Sequence, residues 1–268
     1  MTTQDILSLW KASVLQGWES TCDGIWYDCP DKPVHRIAVC FKITFANLRQ
    51  AVDWGADLLI PHEPMWPLYD GEMHPEETDP VIREMDRMLR ENRIAVLRLH
   101  DHAHLYPDDF IHMGFLTRLG LEIASRADPM RLGFRQYTLA APMTAREIGL
   151  LVREKYNIAH PRLAGNLDVP LTRVTLALGG VGELGYAVLR DTDTELFISG
   201  EIGELGTAFW NHGAAALGLT KAVMALGHCE SERYGMEVLA DWMAKRLAQD
   251  GFPADVRYLD TEDTYVVL

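Results

Sequence analysis

Three histidines fall within five consecutive positions in "LHDHAHLYPDD" (99–109): His100, His102 and His104. Two other short stretches carry the same residue types. "LLIPHEP" presents His62 and Glu63, and "MALGHCESE" presents His228 with Glu232 four residues on. Imidazole and carboxylate together suit Zn, Fe, Mn or Ni and disfavour Ca and Mg, which take oxygen ligands. A catalytic zinc commonly uses three protein ligands and keeps an open position. Leaving out His102, the six ligand-type side chains His62, Glu63, His100, His104, His228 and Glu232 exceed that need and suit two divalent transition-metal ions sharing a bridging water or carboxylate.

Each cluster follows a run that reads as a buried strand: "DLLIP" (57–61), "IAVLRL" (94–99) and "KAVMAL" (221–226). Open α/β sheets bind ligands beyond the carboxyl ends of their strands, so the three clusters sit where a site belongs. The spacing places His100 and His104 in a loop leaving a strand. Strand alternation cannot aim all of residues 100–104 at one point, so His102 and Asp101 are expected to face elsewhere. Asp101 is a candidate for orienting a ligand imidazole.

The rest of the chain alternates strand-like and helix-like segments. "RIAVCF" (36–41) reads as a strand, and "FANLRQAVDWG" as a helix ending at Gly55. "DPVIREMDRMLRENR" (79–93) reads as a second helix. The pattern restarts after about residue 130 with the strand "QYTL" (136–139). "TAREIGLLVREKY" follows, its Thr144 and Glu147 at capping-box spacing. "TRVTLAL" (172–178) and "ELFIS" (195–199) are further strands, and 231–249 is a long amphipathic helix. "PVHRIAVCF" from Pro33 lines up with "PLTRVTLAL" from Pro170, and "DLLIPHE" with "ELFISGE", with a register slip of one. The expected fold is therefore α/β, built as two related halves by internal duplication. Each half is a mainly parallel sheet covered by helices, with the metal site in the cleft between them. The expected halves are residues 1–130, carrying the first ligands, and 131–268, carrying His228 and Glu232.

Composition narrows the function. The 25 basic residues are outnumbered by 39 acidic ones, and no compact Lys/Arg cluster stands out in the sequence, which argues against duplex nucleic acid. No apolar run approaches the roughly 20 residues of a membrane helix. The start, "MTTQDILSLWKASV", lacks a secretory pattern. Cys22, Cys29, Cys40 and Cys229 show no C-x-x-C spacing. A reduced, cytoplasmic protein with a small-molecule substrate is expected.

Other features carry less weight. Glu201 occupies the repeat position of Glu63 and is a candidate general base. "LGGVGELG" (178–185) reads as a strand-to-helix turn or a phosphate cradle. Cys229 is aimed away from His228 if the strand continues. Trp66 and Tyr69 are candidates for a substrate wall or a subunit contact. The acidic run 71–80, with His74, reads as a solvated loop.

"RIAVCFKITFANLRQAVDWGADLLIPHEP", "RIAVLRLHDHAH", "ELFISGEIGEL" and "ALGHCESERYGMEVLADWM" resemble the NIF-three-like family, often labelled GTP cyclohydrolase 1 type 2. The resemblance runs from about Ile6 to Leu268. It implies a two-domain α/β protomer, a dinuclear metal site and a ring-shaped homohexamer. It places the ligands on His62, Glu63, His100, His104, His228 and Glu232. Glu63 stands where the family usually has His, His104 where it usually has Asp, and Lys42 where it usually has Asp. The expected function is a dinuclear metal-dependent hydrolase of a small, nucleotide-like substrate, with Glu232 and Glu201 as catalytic carboxylates. The alternative is a non-catalytic metal-binding scaffold or regulator.

Overall fold

The computed structural model describes residues 1–14, 21–65, 75–105 and 108–266. Trp66, Tyr69 and His74 lie outside the described residues. In chain order the first elements are α1 (Thr3–Ser13), β1 (Gly24–Tyr27), β2 (Arg36–Cys40), α2 (Phe45–Trp54) and β3 (Leu58–Pro61). Next come α3 (Pro75–Thr78), α4 (Pro80–Glu91), β4 (Ala95–Arg98), α5 (Asp101–Leu105) and α6 (Phe110–Leu119). β5 (Ile123–Arg126), β6 (Arg135–Met143), α7 (Ala145–Lys155), β7 (Arg162–Gly165) and β8 (Leu171–Gly180) follow. The chain continues with α8 (Leu184–Asp191), β9 (Leu196–Glu201), α9 (Phe209–Ala216), β10 (Ala222–Ala225), α10 (His228–Gln249) and β11 (Asp255–Tyr258). A π-helical turn, Glu204–Ala208, leads into α9. Among the described residues no helix is long and apolar enough to cross a membrane.

The chain forms two compact units: Met1–Phe110 with Gly235–Asp263, and Ile111–Tyr234 with Thr264–Leu268. The first unit holds a five-stranded sheet of order β1-β4-β3-β2-β11, parallel except for the edge strand β1. Its central strands "RIAVC", "LLIP" and "AVLR" are almost wholly buried. That is why they read as continuous apolar runs instead of alternating ones. Helices α2 and α4 cover the sheet, burying Leu48, Ala51, Ile82, Met85 and Leu89. Their ends follow local chemistry. Thr44 and Asn47 form a reciprocal cap on α2, and Gly55 ends it in the left-handed conformation at φ 73°. Asp79 caps α4, with Pro80 at its first position.

The second unit holds a six-stranded sheet of order β5-β6-β8-β9-β10-β7. Its central trio β8, β9 and β10 is parallel, while β5, β6 and β7 run antiparallel to their neighbours. The two sheets repeat one arrangement. In each, a three-strand parallel core (β2-β3-β4 or β8-β9-β10) is extended by an antiparallel strand on its third member.

The likeness extends to single hydrogen bonds. Asp57, just before β3, accepts the amides of His35 and Arg36 at 2.8 and 3.0 Å. Glu195, just before β9, accepts those of Thr172 and Arg173, both at 2.8 Å. The Asp57 carbonyl then accepts from Ala95, and that of Glu195 from Ala222. The mixed α/β architecture with two sheets matches the sequence expectation.

Candidate metal centre

In the first unit, three of the expected ligands come together. His62 leaves the end of β3, His100 follows β4, and His104 lies in α5. Their rings are mutual neighbours, with centroids 4.4 Å (62–100), 5.2 Å (62–104) and 5.4 Å (100–104) apart. One nitrogen from each lies within 4.8 Å of the others, a set able to hold one metal ion.

The ring tautomers are set by what each Nδ1 faces. His62 Nδ1 donates to the Leu99 carbonyl at 3.1 Å, and His100 Nδ1 to Asp101 at 2.8 Å. His104 Nδ1 points to Asp109 at 3.4 Å. An oxygen acceptor at Nδ1 puts the proton there and the coordinating lone pair on Nε2. All three imidazoles are thus oriented as metal ligands are.

Residues 101–105 are a turn of helix and not the loop the sequence suggested. The physical reason is Asp23, which lies 77 residues before His100. Its Oδ1 accepts the amides of His100 and Asp101 at 2.6 and 2.8 Å, and its Oδ2 accepts that of His102 at 3.1 Å. These are the donors a helix start leaves unsatisfied. Helical spacing then turns His100 and His104, four apart, to one side. His102 faces the other way, its Nδ1 bonded to Asp23 at 2.7 Å in a fully buried pair. Asp101 does orient His100, and it is itself held by the Thr21 hydroxyl, the Cys22 amide and the Cys22 thiol.

Burial opposes a charge on His100, but Asp101, Cys22 and Glu63 outweigh it and raise its pKa above the ordinary histidine value. Asp101 is held low, chiefly by His100. The proton this favours on His100 would have to leave Nε2 before that nitrogen could coordinate a metal ion.

Glu63 sits among positive groups. One oxygen lies 3.6 Å from His100 Nε2, and the other 3.6 Å from Arg98. Arg98 is buried and also donates to the His62 carbonyl at 3.0 Å. Lys42 is partly buried and donates to the Pro64 carbonyl. Burial lowers its pKa, with Glu63 opposing the shift. Lys42 is therefore part of the Glu63 surroundings.

The second unit holds the other expected ligands. His228 is the first residue of α10, and Glu232 follows one turn later. His228 Nδ1 meets Glu201 at 3.2 Å and its Nε2 meets Glu232 at 3.4 Å. Glu232 is 2% exposed at its side chain and Glu201 63%. Cys229 is buried within α10.

Two glycines of the "LGGVGELG" stretch lie against this cluster. A Cβ on Gly179 (φ 79°) would stand 2.5 Å from a Glu232 oxygen, and one on Gly180 3.1 Å from the His228 ring. Both glycines leave room for the acid and the imidazole. Glu183, in the same stretch, accepts the amides of Gly206 and Thr207 and so places a carboxylate there. Gly200 occupies the repeat position of His62, and a Cβ on it would strike three backbone or side-chain oxygens within 2.8 Å. The two sheets share an arrangement but carry different residues at this position.

The Gly179–Gly180 pair is marked in the sequence only as part of a turn or phosphate cradle, and Asp23, Arg98 and Asp109 escape the sequence reading altogether. No local signal marks these three, since each acts on a partner brought near only by folding.

A family model described as Duf34/NIF3 (NGG1p interacting factor 3) matches residues 3–264. The chain is 26% identical over 225 residues to the GTP cyclohydrolase 1 type 2 homolog of Pseudomonas aeruginosa, which spans 80% of this chain and 81% of that protein. A Bacillus cereus protein related to NIF3 superposes with a TM-score of 0.76 at 13% identity, covering 100% of this chain and 99% of that one. Staphylococcus aureus protein SA1388 does so with a TM-score of 0.76 at 14% identity, with the same coverage. At such identities the structural likeness speaks for the fold alone.

Proposed function

Since the chain belongs to the Duf34/NIF3 family, we propose that it is a cytoplasmic, homo-oligomeric, metal-dependent hydrolase of a small, nucleotide-like substrate. The observation that carries the reading is the set of three imidazoles, His62, His100 and His104, each held through Nδ1 by an oxygen acceptor and offering its other nitrogen within 4.8 Å of the rest. Neutral nitrogen donors in this number fit a transition-metal ion. The second cluster, His228 with Glu232, supplies donors of the same chemistry for a second ion. Glu63 completes the proposed ligand set. The printed name of the Pseudomonas relative supports a cyclohydrolase-type reaction.

When bound, two such ions supply Lewis acidity and neutralise negative charge that develops on the substrate. The chain's own residues do the rest. Glu63 supplies negative charge to the first cluster and Glu232 to the second. Asp101 and Asp109 fix the faces that His100 and His104 present. Glu201, the exposed carboxylate beside His228, accepts a proton from an attacking water and returns it to the leaving group. A hexameric assembly, which the family resemblance implies, belongs to the same reading.

The first test is elemental analysis of protein purified without chelator, alongside His100→Ala and Glu232→Ala. About two transition-metal ions per chain are expected, fewer in each variant, with hydrolysis of purine nucleotides lost in both. Unchanged metal content in both variants overturns the site. Full metal content without turnover on any nucleotide favours a metal-binding scaffold.

A further inference from the structure

The sheet of the second unit ends at β7, which pairs with β10 on one side and with no other strand among the described residues. An open edge offers a row of backbone donors and acceptors to a further strand. Here a cavity lies to either side of that edge. One, of about 460 Å³, is bounded by α7 and the segment before β7. Arg146, Arg153, His160 and Arg162 rim it around Leu150 and Leu167, and no carboxylate lines it. The other, of about 160 Å³, is bounded by α9, with Ala164, Ile202, Phe209 and Val223 in its wall beside Arg162, Glu204 and His212.

The rim is unusual in a chain with 39 acidic and 25 basic residues. Its charges are also available. Arg146 pairs with Asp168 and Arg162 with Glu204, both on the surface with every side chain more than half exposed. Such pairs contribute little to stability and exchange readily for another carboxylate. Arg153, in the last turn of α7, makes no ion pair among the described residues.

An extended peptide beside β7 would turn alternate side chains to opposite faces of the sheet. We propose that β7 is a docking edge for an acidic, extended peptide of a partner protein. Its backbone continues the sheet, its carboxylates meet the arginine rim, and its apolar side chains enter the cavity beside α9. This is strand addition, in which main-chain bonds give affinity and the flanking pockets give specificity. Pro161, immediately before β7, has no amide to donate and limits the added strand to the length of 162–165. None of these residues belongs to either ligand cluster, so the proposal stands apart from the hydrolase reading.

The test is fluorescence anisotropy on the full chain with a short labelled peptide that alternates glutamate with leucine and phenylalanine. Binding is expected to weaken with salt and to fall by about 10-fold or more in the Arg153→Glu, Arg162→Glu double variant. Methylating alternate backbone nitrogens of the peptide is expected to weaken it similarly, because the added strand then lacks its donors. The melting temperature and metal content of the double variant serve as folding controls and should match the parent. Equal binding by the methylated peptide, or by the double variant, overturns the proposal. So does tighter binding of a single-stranded oligonucleotide, or loss of self-association in the double variant with no peptide bound to the parent.

Discussion

One carboxylate, Asp23, holds three successive amides and an imidazole, and through them the position of two candidate ligands. Asn at this position keeps the size but turns an amide group toward donors that need an acceptor. Asp23→Asn is expected to weaken metal binding by about 10-fold and to lower the melting temperature of the metal-free protein, checked by competition with a chromogenic chelator and by calorimetry. Gly179 acts by absence. Gly179→Ala forces a side chain into left-handed backbone, at about 1–2 kcal/mol, and pushes Glu232 off His228. The cobalt-loaded variant should show an altered visible spectrum, and an unchanged one would mean that Glu232 has moved without consequence. The histidines themselves were legible, because imidazoles clustered after apolar runs are conspicuous in any sequence. Asp23 and Gly179 were not, since an isolated acid and a paired glycine have many ordinary explanations until their partners are known.

At the scale of elements, the parallel cores were readable because strands buried on both faces are written as unbroken apolar runs and helices announce their caps. The edges β1, β5, β7 and β11 were not, being short and half-exposed, with little apolar signal. The helical turn α5 was missed because its cap comes from outside the segment. The repeat was visible as an aligned Pro, Arg and closing Glu, and the structure adds a task for the acids that open the aligned strands. Asp57 and Glu195 each tie two amides of the preceding strand to the start of the next. Burial works against the charge on Asp57, but those amides and Lys32 outweigh it and lower its pKa below 3.8. A carboxyl depressed in the folded state adds stability above its unfolded value and loses it as pH falls through its folded one. Asp57→Asn should therefore lose about 1 kcal/mol at neutral pH. It should also flatten the stability curve below about pH 4, as read from urea unfolding at a series of pH values.

At the scale of the molecule, neither compact unit is one unbroken segment. The first needs Gly235–Asp263, which carry most of α10 and the whole of β11. There Trp242 packs on Trp10 with ring centroids 5.3 Å apart, and β11 pairs with β2 along its length. A fragment of residues 1–110 is expected to show no cooperative unfolding transition, and adding residues 235–263 in trans should restore one, measured by circular dichroism. Hydrophobic periodicity shows that α10 is long and amphipathic, but not that its turns are divided between two cores. This arrangement has a consequence for synthesis on the ribosome. The residues of the second unit up to Tyr234 emerge while the first still lacks its last strand, so the outer edge of β2 stays uncovered until residues 255–258 have been made. A nascent chain therefore exposes a buried-type strand while residues 41–254 are being made, and any pause within that stretch prolongs the exposure.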